Sequence, residues 1–498
     1  MKLHAPRRPA TACEPHPLTV ASLTLAAALS LAACGSMAPR YERPALPVAE
    51  RFPVAPASDA RAATATVELP WRQFFAEPRL QRLIELSLAN NRDLRIAAAN
   101  IESAQAQLSV RRADLFPTVG LGASGTRQSG RGGAATTGAA GTAGTGTGTA
   151  ATAGGGSVTS LYTAGLTVSA YELDLFGRVR SLTDAALAQV AASEEARRTA
   201  QIGLVASVAN LYYALASDEV LLSLTQRTLD TRRESLRLVQ LRFDNGVTSE
   251  IDLRAAQTAV ENARAVGAQL RRQQQLDRNA LELLVGQGMP SDLPPASPWN
   301  PQALSDVPAG LPSEVLLQRP DVRQAEAQLR AANANIGAAR AAYWPRISLT
   351  ASVGGASTEL SELFSNGTAW SFVPQLFLPL FDAGRNRANE RLSEVQRDIA
   401  VAQYERSVQT AFREVADALA SRLTLAEQLE ALTAQADAEA ARQRLTELRF
   451  TNGVASSLEL LDSQRSLFAA EQQRVQVELA LLQNRIGAYR ALGGGLQE

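Results

Sequence analysis

The chain has 498 residues, of which 20% are charged, and its 49 basic residues are balanced by 49 acidic ones. This balance gives no reason to expect a nucleic-acid partner. The only lysine is Lys2, the only histidines are His4 and His16, and the only cysteines are Cys13 and Cys34. A mature chain starting at Cys34 would therefore lack disulfides, His/Cys metal sites and catalysis by a free Cys or His.

The first residues have the three parts of an export signal. A basic start is followed by an apolar run over residues 18–33, which is too short to span a membrane comfortably. The run ends in Leu-Ala-Ala before Cys34, and this ending resembles the bacterial lipoprotein signal, in which the cysteine becomes the lipid-bearing first residue. Residues 1–33 are therefore predicted to be a lipoprotein signal peptide. An ordinary signal peptide with an incidental cysteine is the alternative.

Residues 34–70 contain many prolines and little periodicity, which predicts an extended N-terminal segment that tethers the lipid to the body of the protein. Gly35 follows Cys34, and in bacterial lipoproteins this favours sorting to the outer membrane. The lipid on Cys34 is the only group expected on the protein, with no cofactor and no metal.

Helical patterning begins near Glu77, and a second helix is predicted from about Asp93 to Leu115, where Pro117 stops it. A β-hairpin is then predicted over residues 118–173, because two stretches alternate between apolar and small or polar side chains. Between them, residues 127–159 are almost wholly Gly, Ala, Thr and Ser, which predicts a disordered, exposed loop.

The second half of the chain repeats this order. A helix over about 320–343 precedes a second hairpin, predicted over 346–380, and very long helices follow both hairpins. Residues 385–450 contain neither proline nor glycine and predict a helix of roughly 100 Å. Residues 178–243 match them, and return helices are predicted over about 250–285 and 458–489. Such lengths indicate a coiled coil or helical barrel; an all-α rod is the alternative, but it does not explain the hairpins.

Residues 241–257 and 448–464 resemble each other at a constant offset of 207. Each copy has an Asn-Gly-Val turn between two helices, formed by Asn245, Gly246 and Val247 and by Asn452, Gly453 and Val454. Glycine ends a helix in the left-handed conformation at no steric cost, and Ser456 with Glu459 predicts a capping box for the next helix. Any helical hairpin needs such a turn, but two matched copies indicate an internal duplication.

The duplication predicts the domain organisation. The first repeat covers residues 71–285 and the second covers 319–490, joined by an equatorial linker at 286–318 and followed by a C-terminal tail at 491–498. Each repeat contributes helices and one hairpin, so one chain supplies four strands.

Four strands cannot close a transmembrane barrel, which needs roughly eight in bacterial single-chain barrels, and an open sheet edge cannot face lipid. A dimer would supply eight strands and a trimer twelve. Because eight-stranded barrels have interiors filled by side chains, an open conduit favours the trimer. The predicted fold class is mainly α with a membrane β-barrel: four strands per chain complete a twelve-stranded barrel in a trimer, continued by a long α-helical periplasmic barrel.

Several motifs resemble those of the TolC-like outer-membrane efflux proteins, in particular the lipoprotein (NodT-type) branch of tripartite efflux systems of the resistance-nodulation-division (RND) type. Besides the two turns, the motifs are WxxFFxxPxL at 71–80, NNRDL at 90–94, YELDLFGR at 171–178 and LQRPDVRxAE at 317–326. The resemblance implies a homotrimer that is a passive conduit in the outer membrane, surrounded there by lipid. It also implies two partners, a periplasmic adaptor (membrane fusion) protein that contacts the Asn-Gly-Val turns and an inner-membrane pump of the RND type. An equatorial collar would draw on residues near 71–90, 286–318 and the C-terminus.

In the related proteins, residues just after the second turn hold the periplasmic end shut, and the matching positions here are Leu458, Asp462 and Arg465. These lie at i, i+4 and i+7, on one face of a helix. A threefold ring of Leu458 could exclude water, while Asp462 and Arg465 could filter cations and latch neighbouring copies. An ordinary surface pair of Asp462 with Arg465 is the alternative. Only the second copy carries charge there, because the first has Ile251, Ala255 and Thr258.

Two other classes of function are opposed by the sequence. The carboxylates of Asp93, Asp174 and Asp321 have no spacing that brings an acid and a base together, and no P-loop or metal motif appears, which argues against an enzyme. The four strands argue against a lipoprotein scaffold without transport. The exported compounds stay open between drugs, solvents and heavy metals, although Met37 and Met289 are the only methionines after the signal and the lack of a Met-rich path favours organic compounds.

Overall fold

The computed structural model describes residues 36–52, 70–130, 157–304, 313–365 and 367–494. The predicted signal peptide, Cys34 and most of the predicted 127–159 loop lie outside these residues, as do parts of the N-terminal segment, the linker and the C-terminal tail. Within them the chain is mainly helical, with one four-stranded antiparallel sheet. This confirms the predicted fold class, mainly α with four strands per chain.

The elements follow the predicted order. The first repeat contains α1 (Trp71–Phe74), α2 (Pro78–Asn90), α3 (Arg92–Ala113), β1 (Val119–Gly130), β2 (Ser157–Leu173), α4 (Arg178–Asp244) and α5 (Glu250–Val285). The second contains α6 (Pro320–Ala341), β3 (Arg346–Ser357), β4 (Ala369–Phe377), α7 (Arg385–Thr451) and α8 (Ser457–Ala491). Short 3₁₀ helices lie at Ser313–Gln318 and Leu360–Glu362. Strand β4 ends at Phe377, three residues before residue 380, where the second hairpin is predicted to end.

The two longest helices are matched in length. Both α4 and α7 contain 67 residues, which at about 1.5 Å per residue is roughly 100 Å each. Gly203 lies inside α4 without interrupting it, so glycine is only a weak helix breaker in this apolar stretch.

The described residues form two compact units. The first comprises the described parts of Met1–Glu42, Ala104–Gln189 and Leu329–Ala400, and it holds the sheet. The second comprises the described parts of Arg43–Ser103, Val190–Gln328 and Val401–Glu498, and it holds both Asn-Gly-Val turns.

The sheet of the first unit has one apolar face. Its strand order is β1-β2-β3-β4, with every neighbouring pair antiparallel. One row across all four strands consists of large apolar residues that are between 45% and 84% exposed: Leu121, Leu166, Val353 and Trp370. The neighbouring row on this face is also apolar: Val119, Val168, Ala351 and Phe372. Pro374 lies on β4, the edge strand of this sheet. Proline has no N–H to donate, and an edge strand tolerates this because one of its sides has no neighbouring strand in the sheet.

The opposite face of the sheet is polar. Ser124 and Thr163 hydroxyls are 2.8 Å apart across β1 and β2, and Ser352 and Ser371 hydroxyls are 2.7 Å apart across β3 and β4. A one-residue bulge between Val168 and Tyr171 interrupts the β2–β3 ladder. The extra residue shifts the alternation of β2 side chains between the two faces by one position. Tyr171 therefore lies on the same apolar face as Val168.

The second unit has a core built from distant parts of the chain. Phe74 stacks on Tyr489 with ring centroids 4.1 Å apart, and both belong to one buried cluster that also contains Val208 of α4 and Leu281 of α5. Partly buried Trp299 packs against this cluster. The segments expected to form a collar, near 71–90, 286–318 and the C-terminus, are therefore in contact.

This core also explains the apolar stretch of α4. Among the described residues, α4 has the one 18-residue window that is apolar enough to cross a membrane, and 44% of that window is buried. Its residues from Leu204 to Tyr213 contribute to the core cluster. We therefore interpret the stretch as a packed helix of the second unit.

Asp218 of α4 is a buried acid in the second unit. It is 8% exposed, its Oδ2 has no hydrogen-bond partner among the described residues, and the carboxylate of Asp277 on α5 lies beside it. Burial, helped by the charge of Asp277, raises the pKa of Asp218 from 3.8 to about 6. When folding raises the pKa of a carboxyl, its protonation stabilises the folded state. This stabilisation is complete below the unfolded pKa of 3.8, and it is lost as the pH rises through the folded pKa of about 6.

We expect Asp218→Asn to stabilise the protein at neutral pH and above. A shift of about two pKa units corresponds to at most about 3 kcal/mol in the free energy of unfolding. The thermal unfolding midpoint of the variant should exceed that of the parent at pH 7, and the two should converge below about pH 4. Asp230→Asn is the matched control, because Asp230 lies on the same helix in an exposed pair with Arg233 at 3.3 Å. An identical pH profile for the parent and Asp218→Asn would contradict the assignment.

Candidate functional site: the paired helical turns

Both Asn-Gly-Val turns end their helices in the same way. Gly246 has φ +70° and Gly453 has φ +76°. The Val247 amide donates to the Arg242 carbonyl at 2.8 Å, and the Val454 amide donates to the Arg449 carbonyl at 2.8 Å. This is a Schellman ending, which satisfies carbonyls that the helix leaves free and needs a left-handed residue at the glycine position. A side chain at either glycine would be strained by this φ.

The helices that leave the turns both begin with a capping box. The Ser249 hydroxyl accepts from the Asp252 amide, and the Ser456 hydroxyl accepts from the Glu459 amide, each at 3.2 Å. In both cases the acidic side chain returns a hydrogen bond to the serine amide. The two copies are therefore alike in how they reverse the chain and start the next helix.

Side chains connect the two turns to each other. An Arg242 nitrogen donates to the Phe450 carbonyl at 2.9 Å, and the guanidinium lies 4.1 Å from the Phe450 ring centroid. The Ser457 hydroxyl donates to Asp252 at 2.6 Å. Hydrogen bonds from Ser249, Ser457 and Thr248 lower the pKa of Asp252 to about 2. Asp252 thus stays ionised at any physiological pH.

A small apolar cluster lies beneath these contacts. It joins residues of all four helices that meet at the turns, Val239, Leu253, Ala256, Phe450, Ala455 and Leu460. The six turn residues themselves are exposed: Asn245, Gly246, Val247, Asn452, Gly453 and Val454. The Val247 and Val454 side chains are 72% and 68% exposed. The turns are therefore firmly held from below and present apolar tips on the surface.

The three predicted gate residues lie on the first turns of α8, close to this cluster. Leu458 is 69% exposed. Asp462 accepts from Arg465 at 2.6 Å, within the same helix, and from Arg442 of α7 at 3.3 Å. A second ion pair, Arg449 with Glu459, joins α7 and α8 at 3.5 Å. In the single chain, Asp462 and Arg465 thus form an i,i+3 pair, which is the predicted alternative to a latch between copies. The gate stays a prediction.

Arg442 was missed in the sequence. It also donates to a carboxylate on its own helix, that of Glu439, at 2.7 Å. The signal that could have found it is its distance from the turn, because Arg442 lies ten residues before Asn452 and Asp462 lies ten residues after it. Residues equidistant from the turn of an antiparallel helical hairpin face each other.

The corresponding positions of the first copy lack this arrangement. Ile251 matches Leu458 and is 82% exposed, so both copies present a large apolar side chain. Ala255 and Thr258 occupy the positions of Asp462 and Arg465. The ionic contacts at these three positions are therefore a property of the second hairpin alone.

Replacing Ser456 with alanine is expected to loosen the start of α8. Removing an N-cap acceptor costs about 1 kcal/mol, so the amide of Glu459 should exchange with solvent about five times faster if local opening exposes it. Hydrogen exchange of the first turn of α8 measures this. Ser456→Asp keeps an acceptor and should retain the parent rate. Equal protection of Ser456→Ala and the parent would show that the cap does not hold this turn.

Comparison with known proteins gives one consistent result. The sequence model of the family described as "Outer membrane efflux protein" matches residues 83–287 and 311–494. Two curated relatives from Pseudomonas putida, the antibiotic efflux pump outer membrane protein ArpC and the toluene efflux pump outer membrane protein TtgC, are each 46% identical over 484 residues, with 97% of both chains covered.

A solved structure has the same fold. The open state of the Neisseria gonorrhoeae MtrE outer membrane channel superimposes with a TM-score of 0.80 at 39% identity, covering 93% of this chain and 99% of the MtrE chain. Together with the match of the family model over both halves of the chain, these similarities lead to one conclusion: the chain belongs to the outer membrane efflux protein family.

Proposed function

We propose that three copies of this chain form a passive conduit in the outer membrane, through which an inner-membrane pump and a periplasmic adaptor export organic compounds. The sheets of the three copies would join into one barrel, and the long helices would continue it into the periplasm. The conduit performs no chemistry; its work is to give solutes a path that excludes lipid.

The observation that carries this proposal is the sheet. Within the described residues, β1 and β4 pair on one side only, so each sheet has two free edges. Its exposed apolar face, centred on the row from Leu121 to Trp370, suits contact with lipid, and its hydroxyl-bearing face suits water. Lipid cannot satisfy the backbone groups of a free edge. Pairing β1 of one copy with β4 of the next removes every edge.

The space needed inside the barrel favours three copies. Two copies would give an eight-stranded barrel, whose interior side chains fill it. Three copies give twelve strands and room for a solute. The small residues on the polar face, such as Gly122, Gly165 and Gly354 in one row, further widen the interior.

A lipid on Cys34 agrees with the packing of the residues that follow it. In the first unit, the hydroxyls of Ser36 and Ser181 are 3.1 Å apart, and Asn333 donates to the Pro39 carbonyl at 2.8 Å. Ser181 lies in the first turn of α4, eight residues after the end of β2. The N-terminal segment is therefore held in the unit that contains the membrane-facing sheet, which supports a lipid anchor there.

The turns support the proposed partners. Exposed Val247 and Val454 present apolar side chains on turns that two capping boxes hold in place. This is the surface that we assign to the adaptor. The relatives ArpC and TtgC are named for antibiotic and toluene efflux pumps, which supports organic compounds as the exported class and a pump as the energy source.

Loss and restoration of export test this function. Cells that lack the chain should accumulate a fluorescent organic efflux substrate as strongly as cells that lack the pump, and the chain supplied from a plasmid should restore export. A chain with Cys34→Ala should restore it less well at equal amounts, since it loses its anchor. If loss of the pump causes accumulation while loss of the chain does not, the proposal is wrong.

A further inference from the structure

A buried arginine that pairs with no carboxylate in the described part of the chain marks a cavity that the conduit role does not use. The cavity has a volume of about 190 Å³ and lies in the second unit, between α4, α7 and α8. This volume equals that of about six water molecules in the liquid. Its wall contains two arginines of α4, Arg227 and Arg232, and one carboxyl of α8, Glu471.

Arg232 is the central group. It is 5% exposed, it donates to the Ala259 carbonyl of α5 at 2.9 Å, and its guanidinium lies 5.4 Å from the Phe468 ring centroid. No described carboxylate lies within ion-pair distance of it, and burial alone lowers its pKa. An uncompensated buried charge is costly, so this site is electrostatically incomplete without an anion.

Gln464 is a second, independent sign. It lines the same cavity and is 5% exposed. Its Nε2 donates to the Ser235 hydroxyl at 2.9 Å, while its Oε1 is buried without a partner. If the amide is turned over, the nitrogen takes that place instead. The amide atom that has no partner among the described residues can therefore bond to a ligand in the cavity.

The remaining walls define what fits. Burial raises the pKa of Glu471, so this carboxyl gives up its charge more readily than an exposed one. Leu224, Leu467 and Phe468 supply an apolar surface beside the two guanidiniums. A ligand with one negative end and a compact apolar body satisfies both parts of the wall.

We propose that this cavity binds a small organic carboxylate, whose carboxylate pairs with Arg232 and whose apolar body lies against Phe468. The pairing neutralises the buried guanidinium. Since the site joins α4, α7 and α8, an occupied cavity should hold these three helices together more firmly than an empty one. The inference is independent of the proposed export role.

Benzoate is the probe, and uncharged benzyl alcohol has nearly the same shape. We expect benzoate to bind the full-length purified protein in detergent saturably, measured by saturation-transfer NMR at constant ionic strength, and to raise the thermal unfolding midpoint. Benzyl alcohol should do neither. Arg232→Gln, which keeps a donor for Ala259, should weaken benzoate binding about tenfold or more, as for the loss of one charge-assisted hydrogen bond. Arg233→Gln, at the exposed neighbouring position, should bind like the parent.

A third variant makes the test independent of the folding of Arg232→Gln. Gln464→Glu places a carboxylate inside the cavity, so it should abolish benzoate binding and raise the unfolding midpoint of the ligand-free protein. Equal binding of benzoate and benzyl alcohol would overturn the proposal, as would unchanged benzoate binding in Gln464→Glu. Complete displacement of benzoate by chloride at equal concentration would also overturn it, because the site would then be a halide site.

Discussion

Replacing Asp462 and Arg465 together with alanine is expected to raise the single-channel conductance of the protein in lipid bilayers severalfold. Asp462 accepts hydrogen bonds from Arg465 of its own helix and from Arg442 of α7, so the double change removes one of the two ionic contacts described between α8 and α7 near the turn. Exposed ion pairs contribute only roughly 0.2–1 kcal/mol each. The change should therefore loosen the end of the helical hairpin without unfolding it.

Two further variants separate a gate from a surface pair. Arg442→Ala alone removes the same contact from the α7 side and should also raise the conductance. Glu250→Ala with Arg254→Ala removes an equally exposed pair at 2.9 Å on α5 of the first hairpin, and it should leave the conductance unchanged. If the Asp462 and Arg465 variant conducts like the parent, or if the α5 control conducts as much as that variant, these residues are an ordinary surface pair.

The second large effect is expected at Gly354, where alanine should prevent assembly of the barrel. Gly354 of β3 faces Gly165 of β2 in the ladder, and a Cβ on Gly354 would overlap the Ala164 carbonyl. The overlapping atom is backbone, so no side-chain rotation relieves it. Overpacking of this kind costs typically 1–3 kcal/mol or more, and it falls on a ladder that must form for the four strands to stay together.

The same row of the sheet provides the control. Gly122 of β1 lies opposite Gly165 on its other side, yet a Cβ at Gly122 would meet nothing within 4 Å. We expect Gly354→Ala to lose the assembled species in outer-membrane fractions, seen by electrophoresis of unheated samples, and Gly122→Ala to retain it. Equal amounts of assembled protein in both variants would show that the β2–β3 approach does not limit assembly.

Much of the fold follows from the periodicity of apolar residues and from the positions of proline and glycine. The 66 residues from 385 to 450 contain no proline or glycine, and α7 spans them without a break. The alternation of residues 346–355 likewise reappears as β3. Local signals of this kind do not depend on which distant segment packs against them. Strand β4 stops at Phe377, three residues before the predicted end of the hairpin, and Pro379, which follows two residues later, lacks the N–H that a strand ladder needs.

The contacts between distant segments were not accessible in the same way. The turns at Gly246 and Gly453 and the capping box at Ser456 are predicted from local sequence, and all three occur. The hydrogen bond from Ser457 to Asp252 joins residues 205 positions apart, and no spacing rule indicates it. The burial of Arg232 could not be predicted either. From sequence, an arginine in a helix is expected at the surface, and only the packing shows that Arg232 is 5% exposed.

The proposal that three copies build one open conduit is tested most directly by the mass of the assembled pore. Protein extracted from outer membranes would be analysed by native mass spectrometry, and the same preparation would be reconstituted in a bilayer. We expect a species of three times the mass of one mature, lipid-bearing chain, together with discrete conductance steps. A pore of twice the mass of one chain, or a trimer that conducts no ions even when Asp462 and Arg465 are replaced, would contradict it.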